Sequence, residues 1–393
     1  MRRKTTEPIR ILAHLYAMQK ASRDMTGGIL HYAAVHPDVQ VQLYGVGTPR
    51  GSWNEFASWR PDGIIIGTSG SETIRAIAKL GCSAALFVNA EAPDSVPFRH
   101  ASIYCDNRAV AEAAMKLLAG KQLHHFAFVG TRAGDEWSAE RERVFRQLAR
   151  SGGGTYSAFL PPSTAERHHG RELDAMTEWI CALPKPCGIF AACDARAKDV
   201  LDACHNSKAA VPEQVMVLGV DDEEFICRQM EPTLSSVVPD FGKGGYLAAE
   251  TLVKLISGRR RTLPRRTFGV QGVIERTSTS DPNGAGRMVS RAKEFIHAYA
   301  ASDVSVDDVA KASGASLRLL QKNFKSITGT TICDALQSRR LQHVCSLLTQ
   351  TTTPIGQIGE LCGFGNESYL KKLFLRRFGC TMRDYRKKSS APG

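Results

Sequence analysis

Over the first 280 residues, short unbroken apolar runs alternate with stretches of helical periodicity. Residues 9–13 open the series, a helix is expected near 28–36, and residues 39–44 alternate as a half-buried strand does. The runs 61–67 and 84–88 are of the kind found in parallel strands covered on both faces, with a helix between them at 71–81. The pattern then repeats as helix 108–119, strand 125–130, helix 136–151, strand 188–192, helix 195–204, strand 215–220, helix 242–257 and a last strand at 268–274. Two successive βα sets of similar size predict two doubly wound lobes facing each other across a cleft.

The period changes after the polar stretch 278–286, whose Pro and Gly read as a linker. The expected organisation is an α/β domain over 8–278, a linker over 279–287 and an all-α unit of about seven helices over 288–388. Within that unit one layout occurs twice. A short helix at 306–311, a turn at Ser313-Gly314-Ala315 and a second helix from Ser316 to Ile327 make a helix-turn-helix; Gly314 sits where the chain reverses. Leu317, Leu320 and Phe324 form the apolar stripe of its second helix. Ser316 and Leu317 at its start, with Arg318, Gln321, Lys322 and Lys325, are the candidates for reaching DNA. The second copy runs through helix 355–361, a turn at Cys362-Gly363-Phe364-Gly365 and helix 366–378. Its stripe is Tyr369, Leu370, Leu373 and Phe374, and its outward set is Asn366, Glu367, Ser368, Lys371, Lys372 and Arg376. A major groove about 12 Å wide admits one helix whose polar side chains reach base edges and phosphates. Between the copies, residues 332–350 form a helix spanning about 28 Å, close to the roughly 34 Å of one DNA turn, so a single chain could read two adjacent grooves.

Charge sharpens this division. Of the formal +12, residues 287–393 carry 17 Lys and Arg against 8 Asp and Glu, whereas the rest is nearly balanced at 34 against 31. A basic third beside a near-neutral two-thirds points to a polyanionic partner for the C-terminal part. The 11 cysteines are scattered, with no CxxC pair, and fit reduced thiols packed as small apolar groups in a reducing compartment. No run approaches the roughly 20 apolar residues of a membrane helix. The basic start Met1-Arg2-Arg3-Lys4 lacks an apolar segment after it, which speaks against an exported sugar receptor. A sugar-modifying enzyme is the other rival. Gly45, Gly47 and Gly51 do not have dinucleotide-loop spacing, Thr68-Ser69-Gly70 does not complete a nucleophile elbow, and His168-His169 have no partner ligand nearby; neither cofactor nor metal is expected. The arginines 259–261 and 265–266 read as a solvated loop.

The run Ile355, Ile358, Gly363-Phe364, Ser368-Tyr369, Leu373-Phe374, Phe378-Gly379-Cys380-Thr381 and Tyr385-Arg386 closely resembles the signature of the AraC/XylS family. So does Ala315-Ser316-Leu317-Arg318-Leu319-Leu320 with Phe324-Lys325 and Gly329; together they cover about residues 288–388. Gly359 departs from the usual Ala, Leu370 from a common aromatic and Met382 from Pro. Further upstream, Tyr104-Cys105-Asp106-Asn107, Ser138-Ala139-Glu140-Arg141, Cys193-Asp194 with Ala197, Gly219-Val220-Asp221-Asp222, Leu234-Ser235-Ser236-Val237 and Ile274-Glu275-Arg276-Thr277-Ser278 are similar to motifs of the LacI/GalR family, in that family's order. The resemblance implies a periplasmic-binding-protein-like sugar sensor. Its fusion to an AraC-type reader, with Trp137 beside Glu140-Arg141-Glu142-Arg143, resembles the xylose operon regulators and implies an aldopentose effector.

A sugar presents vicinal hydroxyls that both donate and accept, and a carboxylate or guanidinium can engage two of them at once. By motif match Asp106, Arg141 and Asp221 are the expected contacts, with Asp194 taking over where Cys193 replaces the family's Asn. Tyr16, after the first strand, is placed to stack on a pyranose ring, and Asn89 ends the strand at 84–88. The implied partners are operator DNA, the sugar, a second copy of the chain and RNA polymerase. The expected location is the cytoplasm, on the nucleoid.

Overall fold

The computed structural model describes residues 7–15, 18–44, 56–92, 96–131, 135–161, 169–280, 284–351 and 353–390. Tyr16, Gly45, Gly47, Gly51 and His168 lie outside them. The chain forms two compact units, one of residues 1–112 with 238–272, the other of 113–237 with 273–393.

The α/β part runs β1 (Ile9–His14), α1 (Lys20–Val35), β2 (Val39–Leu43), β3 (Gly63–Ile66), α2 (Ser71–Leu80), β4 (Ala84–Val88), β5 (Arg99–Cys105), α3 (Asn107–Ala119), β6 (His125–Val129), α4 (Glu136–Ser151), β7 (Thr155–Phe159) and α5 (His169–Ala182). It continues through β8 (Cys187–Ala191), α6 (Asp194–Ser207), β9 (Val215–Val220), α7 (Glu224–Cys227), β10 (Ser235–Pro239), α8 (Phe241–Ser257), β11 (Arg266–Phe268) and β12 (Val270–Ile274). The first unit holds a six-stranded sheet in the order β11-β5-β4-β3-β1-β2, parallel throughout. The second holds β12-β10-β9-β8-β6-β7, so both sheets repeat one doubly wound order. This is the expected pair of lobes.

The expected single strand at 268–274 is in fact two. Either side of Gly269, β11 closes one sheet and β12 the other. Helix α1 starts at Lys20, well before the expected position, because its glycines are interior rather than terminal. A Cβ on Gly28 would overlap the carbonyl of Gly242, and one on Gly245 that of Met25, so α1 and α8 pack backbone to backbone. Three cysteines, Cys187, Cys204 and Cys227, sit in the second lobe's apolar core, and burial raises all three thiols above the ordinary range. Among the described residues no helix is long and apolar enough to cross a membrane, and no cluster of three ligating side chains could hold a metal.

The expected linker at 279–287 is corrected at its start. Thr277–Thr279 form a 3-10 turn, and Ser278, Thr279 and Ser280 are fully buried. Ser278 Oγ donates to the Val217 carbonyl (2.6 Å), and Ser235 bonds Thr279 Oγ1 (2.6 Å). This segment is wedged into the second lobe rather than solvated.

Among the described residues seven helices follow: α9 (Gly284–Tyr299), α10 (Val306–Ser313), α11 (Leu317–Thr328), α12 (Ile332–Gln350), α13 (Ile355–Leu361), α14 (Glu367–Phe378) and α15 (Met382–Ser390). They enclose two small cores, one of α9, α10, α11 and the start of α12, the other of the rest of α12 with α13, α14 and α15. Their ends are written locally. Ser305 with Asp308, and Thr331 with Asp334, close capping boxes, while Gly314, Gly329 and Gly379 take the left-handed C-terminal position. Arg340 on α12 donates to the carbonyls of Ala300, Ser302 and Val304, tying the first core to the second.

Candidate functional site

In doubly wound sheets, ligands bind beyond the carboxyl ends of the strands. At that end of the second sheet, Arg141, Cys193, Asp194 and Asp221 come together. Arg141 on α4 is buried, donates to the Ala192 carbonyl at the end of β8 (2.5 Å) and lies 4.7 Å above the Trp137 ring. Asp221 and Asp222 follow β9 in left-handed conformations, φ 105° and 53°. Non-glycine residues take such values at a cost, and they cluster at ligand-binding turns. Asp222 turns inward to Arg276, with Nη2–Oδ1 at 2.5 Å, leaving Asp221 half-buried at the strand end. Burial and the neighbouring Asp221 and Asp194 push the Cys193 thiol up to about 12, so it is neutral.

Asp194 behaves differently from the expected sugar contact. It is 1% exposed and its carboxylate accepts from Ser236 Oγ (2.7 Å), the Glu223 amide (2.7 Å) and Cys227 Sγ (3.3 Å). Burial first, and then the Asp221 charge, raise its pKa well above the usual carboxylate range. Gly219 is there because any Cβ would overlap Asp194 Oδ1. Asp194 thus props the Asp221 turn from beneath, and sequence reasoning missed its three partners because they lie 29–42 residues away.

In the first unit, Asp106 follows β5 and caps α3, Oδ1 accepting from the Ala109 amide (2.9 Å). Asn89, at φ 50°, uses its Oδ1 to accept from the Cys105 amide (2.8 Å), so it fixes the end of β5. His14 at the end of β1 was not anticipated; its ring meets Tyr44 edge-on at 4.5 Å, and burial lowers its pKa. The only trace in the sequence is a polar residue ending an apolar run.

In the helical domain, Arg318, Gln321, Lys322 and Lys325 are exposed along α11, and Glu367, Ser368, Lys371, Lys372 and Arg376 along α14. Ser316 and Asn366 act as N-caps, accepting from the Leu319 and Tyr369 amides. Leu317 keeps its expected place in the apolar stripe of α11, and Tyr369 leaves that of α14. Leu317 packs half-buried on the first core, whereas Leu319 is 47% exposed. Tyr369, expected in the stripe, is 46% exposed and its hydroxyl accepts from Gln337 Nε2 (2.8 Å). Lys371 pairs with Glu367 one turn earlier (2.8 Å).

An α/β sensor carrying a charged cluster at its strand ends, joined to two capped helix-turn-helix units with basic outer faces, defines a ligand-responsive, DNA-binding transcription regulator. Residues 115–279 match the periplasmic binding protein-like domain and residues 291–388 a helix-turn-helix domain. The xylose operon regulatory protein of Escherichia coli is 30% identical over 336 residues, 85% of this chain and 86% of that protein. Its counterpart in Haemophilus influenzae is 30% identical over 291 residues, covering 72% and 74%. The solved structure of a xylose-binding transcription activator superposes with a TM-score of 0.59 at 27% identity, covering 98% of this chain and 99% of that one. The chain belongs to the family of xylose operon regulatory proteins, as a sugar-responsive regulator with an AraC-type reader, and is not an enzyme.

Proposed function

We propose that this protein activates genes of aldopentose catabolism in response to xylose. Arg141 and Asp221 of the second lobe bind the sugar, and Asp106, Asn89 and Tyr16 are further candidate contacts. Asp194 serves as a positioning group. Arg318, Gln321, Asn366 and Lys371 read base edges, and Lys325, Lys372 and Arg376 hold phosphates. The protein works in the cytoplasm as a homodimer on operator DNA, where activation entails contact with RNA polymerase.

The observation that carries this reading is the strained Asp221-Asp222 turn beside the buried Arg141. A carboxylate and a guanidinium at neighbouring strand ends suit vicinal hydroxyls, whose charge-assisted bonds are the strong ones. The test is calorimetric titration of the full chain with xylose, other aldopentoses and hexoses, with operator retention measured in parallel. Saturable binding led by xylose, together with a xylose-dependent change in operator affinity, is expected. Equal, negligible heats across the panel would refute the effector assignment.

A further inference from the structure

The last strand of the sensor hands the chain directly to the reader, and the hand-over point is hydrogen-bonded to the ligand-side turn. Arg276 is 2% exposed; besides Asp222 it donates through Nη1 to the Leu234 carbonyl (2.7 Å). The very next residue, Thr277, shares its amide between Glu294 Oε1 (3.1 Å) and Thr233 Oγ1 (3.3 Å), and Glu294 belongs to α9, the first helix of the reader. The same carboxylate oxygen accepts from Thr233 Oγ1 (2.7 Å), just ahead of the strand that carries Ser236. Other links across this junction are more exposed: Lys293 with Glu275 (3.6 Å), and Arg287 with Glu213. Exposed pairs of that kind contribute little.

We infer that Glu294 is a positioning residue that clamps the reader to the sensor's second lobe and transmits the state of the Asp221-Asp222 turn to it. The path is short. Asp222 holds the Arg276 side chain, the Arg276 backbone leads into Thr277, and Thr277 is held by Glu294. A turn kept in left-handed conformations has other arrangements available, and a ligand that engages Asp221 selects among them. Any shift of Asp222 then moves Arg276 and, one residue on, the anchor of α9. This inference rests on the reading that Asp221 engages the sugar.

Three full-length variants test it: Glu294→Ala, Glu294→Gln, in which Gln Oε1 can still accept from Thr277 and Thr233, and Thr233→Val. The first readout needs no sugar. Amide exchange of Thr277 should quicken about tenfold or more in Glu294→Ala, the size expected for losing a hydrogen bond to a charged group, and stay near the parent value in Glu294→Gln. The second readout is operator affinity with and without xylose. Glu294→Ala should keep sugar affinity and sugar-free operator affinity within about threefold of the parent while the xylose-dependent change falls toward one. Thr233→Val should fall between, and Glu294→Gln should restore the response. Unaltered Thr277 exchange in Glu294→Ala, or an undiminished xylose response, would overturn the clamp. A parent protein whose operator affinity ignores xylose, yet whose Thr277 exchange depends on Glu294, would leave the docking role standing and sink the effector assignment instead.

Discussion

Two aspartates that follow strands of the second sheet, Asp194 after β8 and Asp221 after β9, have different work to do. Asp221 ends a strand and is half-buried, whereas Asp194 is enclosed and already accepts three hydrogen bonds. Asp221→Ala should therefore weaken xylose binding by about 1.5–3 kcal/mol, the range for hydrogen bonds to charged groups, with little change in thermal unfolding without sugar. Asp194→Ala should lower the melting temperature, because Ser236 Oγ, the Glu223 amide and Cys227 Sγ lose their acceptor inside the protein. Thermal scans and calorimetry on both variants check this, and a stable Asp194→Ala that loses only sugar affinity would return Asp194 to the list of direct contacts. The sequence separates the two poorly. Each is an acid at the end of an apolar run, and the burial that distinguishes them comes from β9, β10 and α7 closing over Asp194. Arg141 was legible as an arginine of the right motif, but its seat against Trp137 and the Ala192 carbonyl was not.

At the scale of elements, legibility follows how local the determining signal is. The reader's helices α10 to α14 lie within about two residues of their expected ends, since Ser, Thr, Asn and Gly at the caps act within one turn. The sensor is less legible in its sequence. Strands β5 and β7 carry polar residues and lack an unbroken apolar run, and β10 begins Ser235-Ser236, fully buried because their hydroxyls serve Arg276 and Asp194. The glycines of α13 and its turn offer a paired test of the same logic. A Cβ on Gly359, inside α13, would meet Leu370 Cδ2 at 3.5 Å and the Phe364 carbonyl at 3.8 Å, which is ordinary contact. Gly359→Ala should thus stabilise the protein by up to about 1 kcal/mol by favouring the helix. Gly363, at φ +74°, has the Ser302 carbonyl 2.8 Å and the Ala300 carbonyl 2.9 Å from a would-be Cβ, at the seam between the two cores. Gly363→Ala should cost about 1–3 kcal/mol. Denaturant midpoints for the two variants moving in the same direction would contradict this account.

Across the whole molecule, the junction between sensor and reader concentrates positive charge, and this makes its stability depend on pH. His297 on α9 sits among Arg339 and His343 from α12, Arg276 beyond β12 and Arg228 beyond α7, and accepts or shares a hydrogen bond with Arg339 Nη2 at 3.3 Å. Burial foremost, and then these cations, push its pKa down to about 3 from the ordinary 6.5. Above pH 6.5 the imidazole is neutral in both folded and unfolded chains, so the stability of the junction is fully present there. As pH falls below 6.5 the unfolded chain takes up a proton that the folded one refuses, and stability drops until about pH 3, by at most about 1.4 kcal/mol per pH unit. Glu294 works in the opposite direction. Burial raises its carboxyl, so the folded chain takes up a proton there before the unfolded one does, which favours folding as the medium becomes acid. Subtracting a His297→Gln variant from the parent separates the two, because the Glu294 contribution is common to both. Thermal unfolding of both chains from pH 8 to pH 4.5 should show the parent losing stability more steeply below about 6.5. Parallel curves would mean that His297 is free to protonate in the folded protein and that the cationic junction does not hold it neutral.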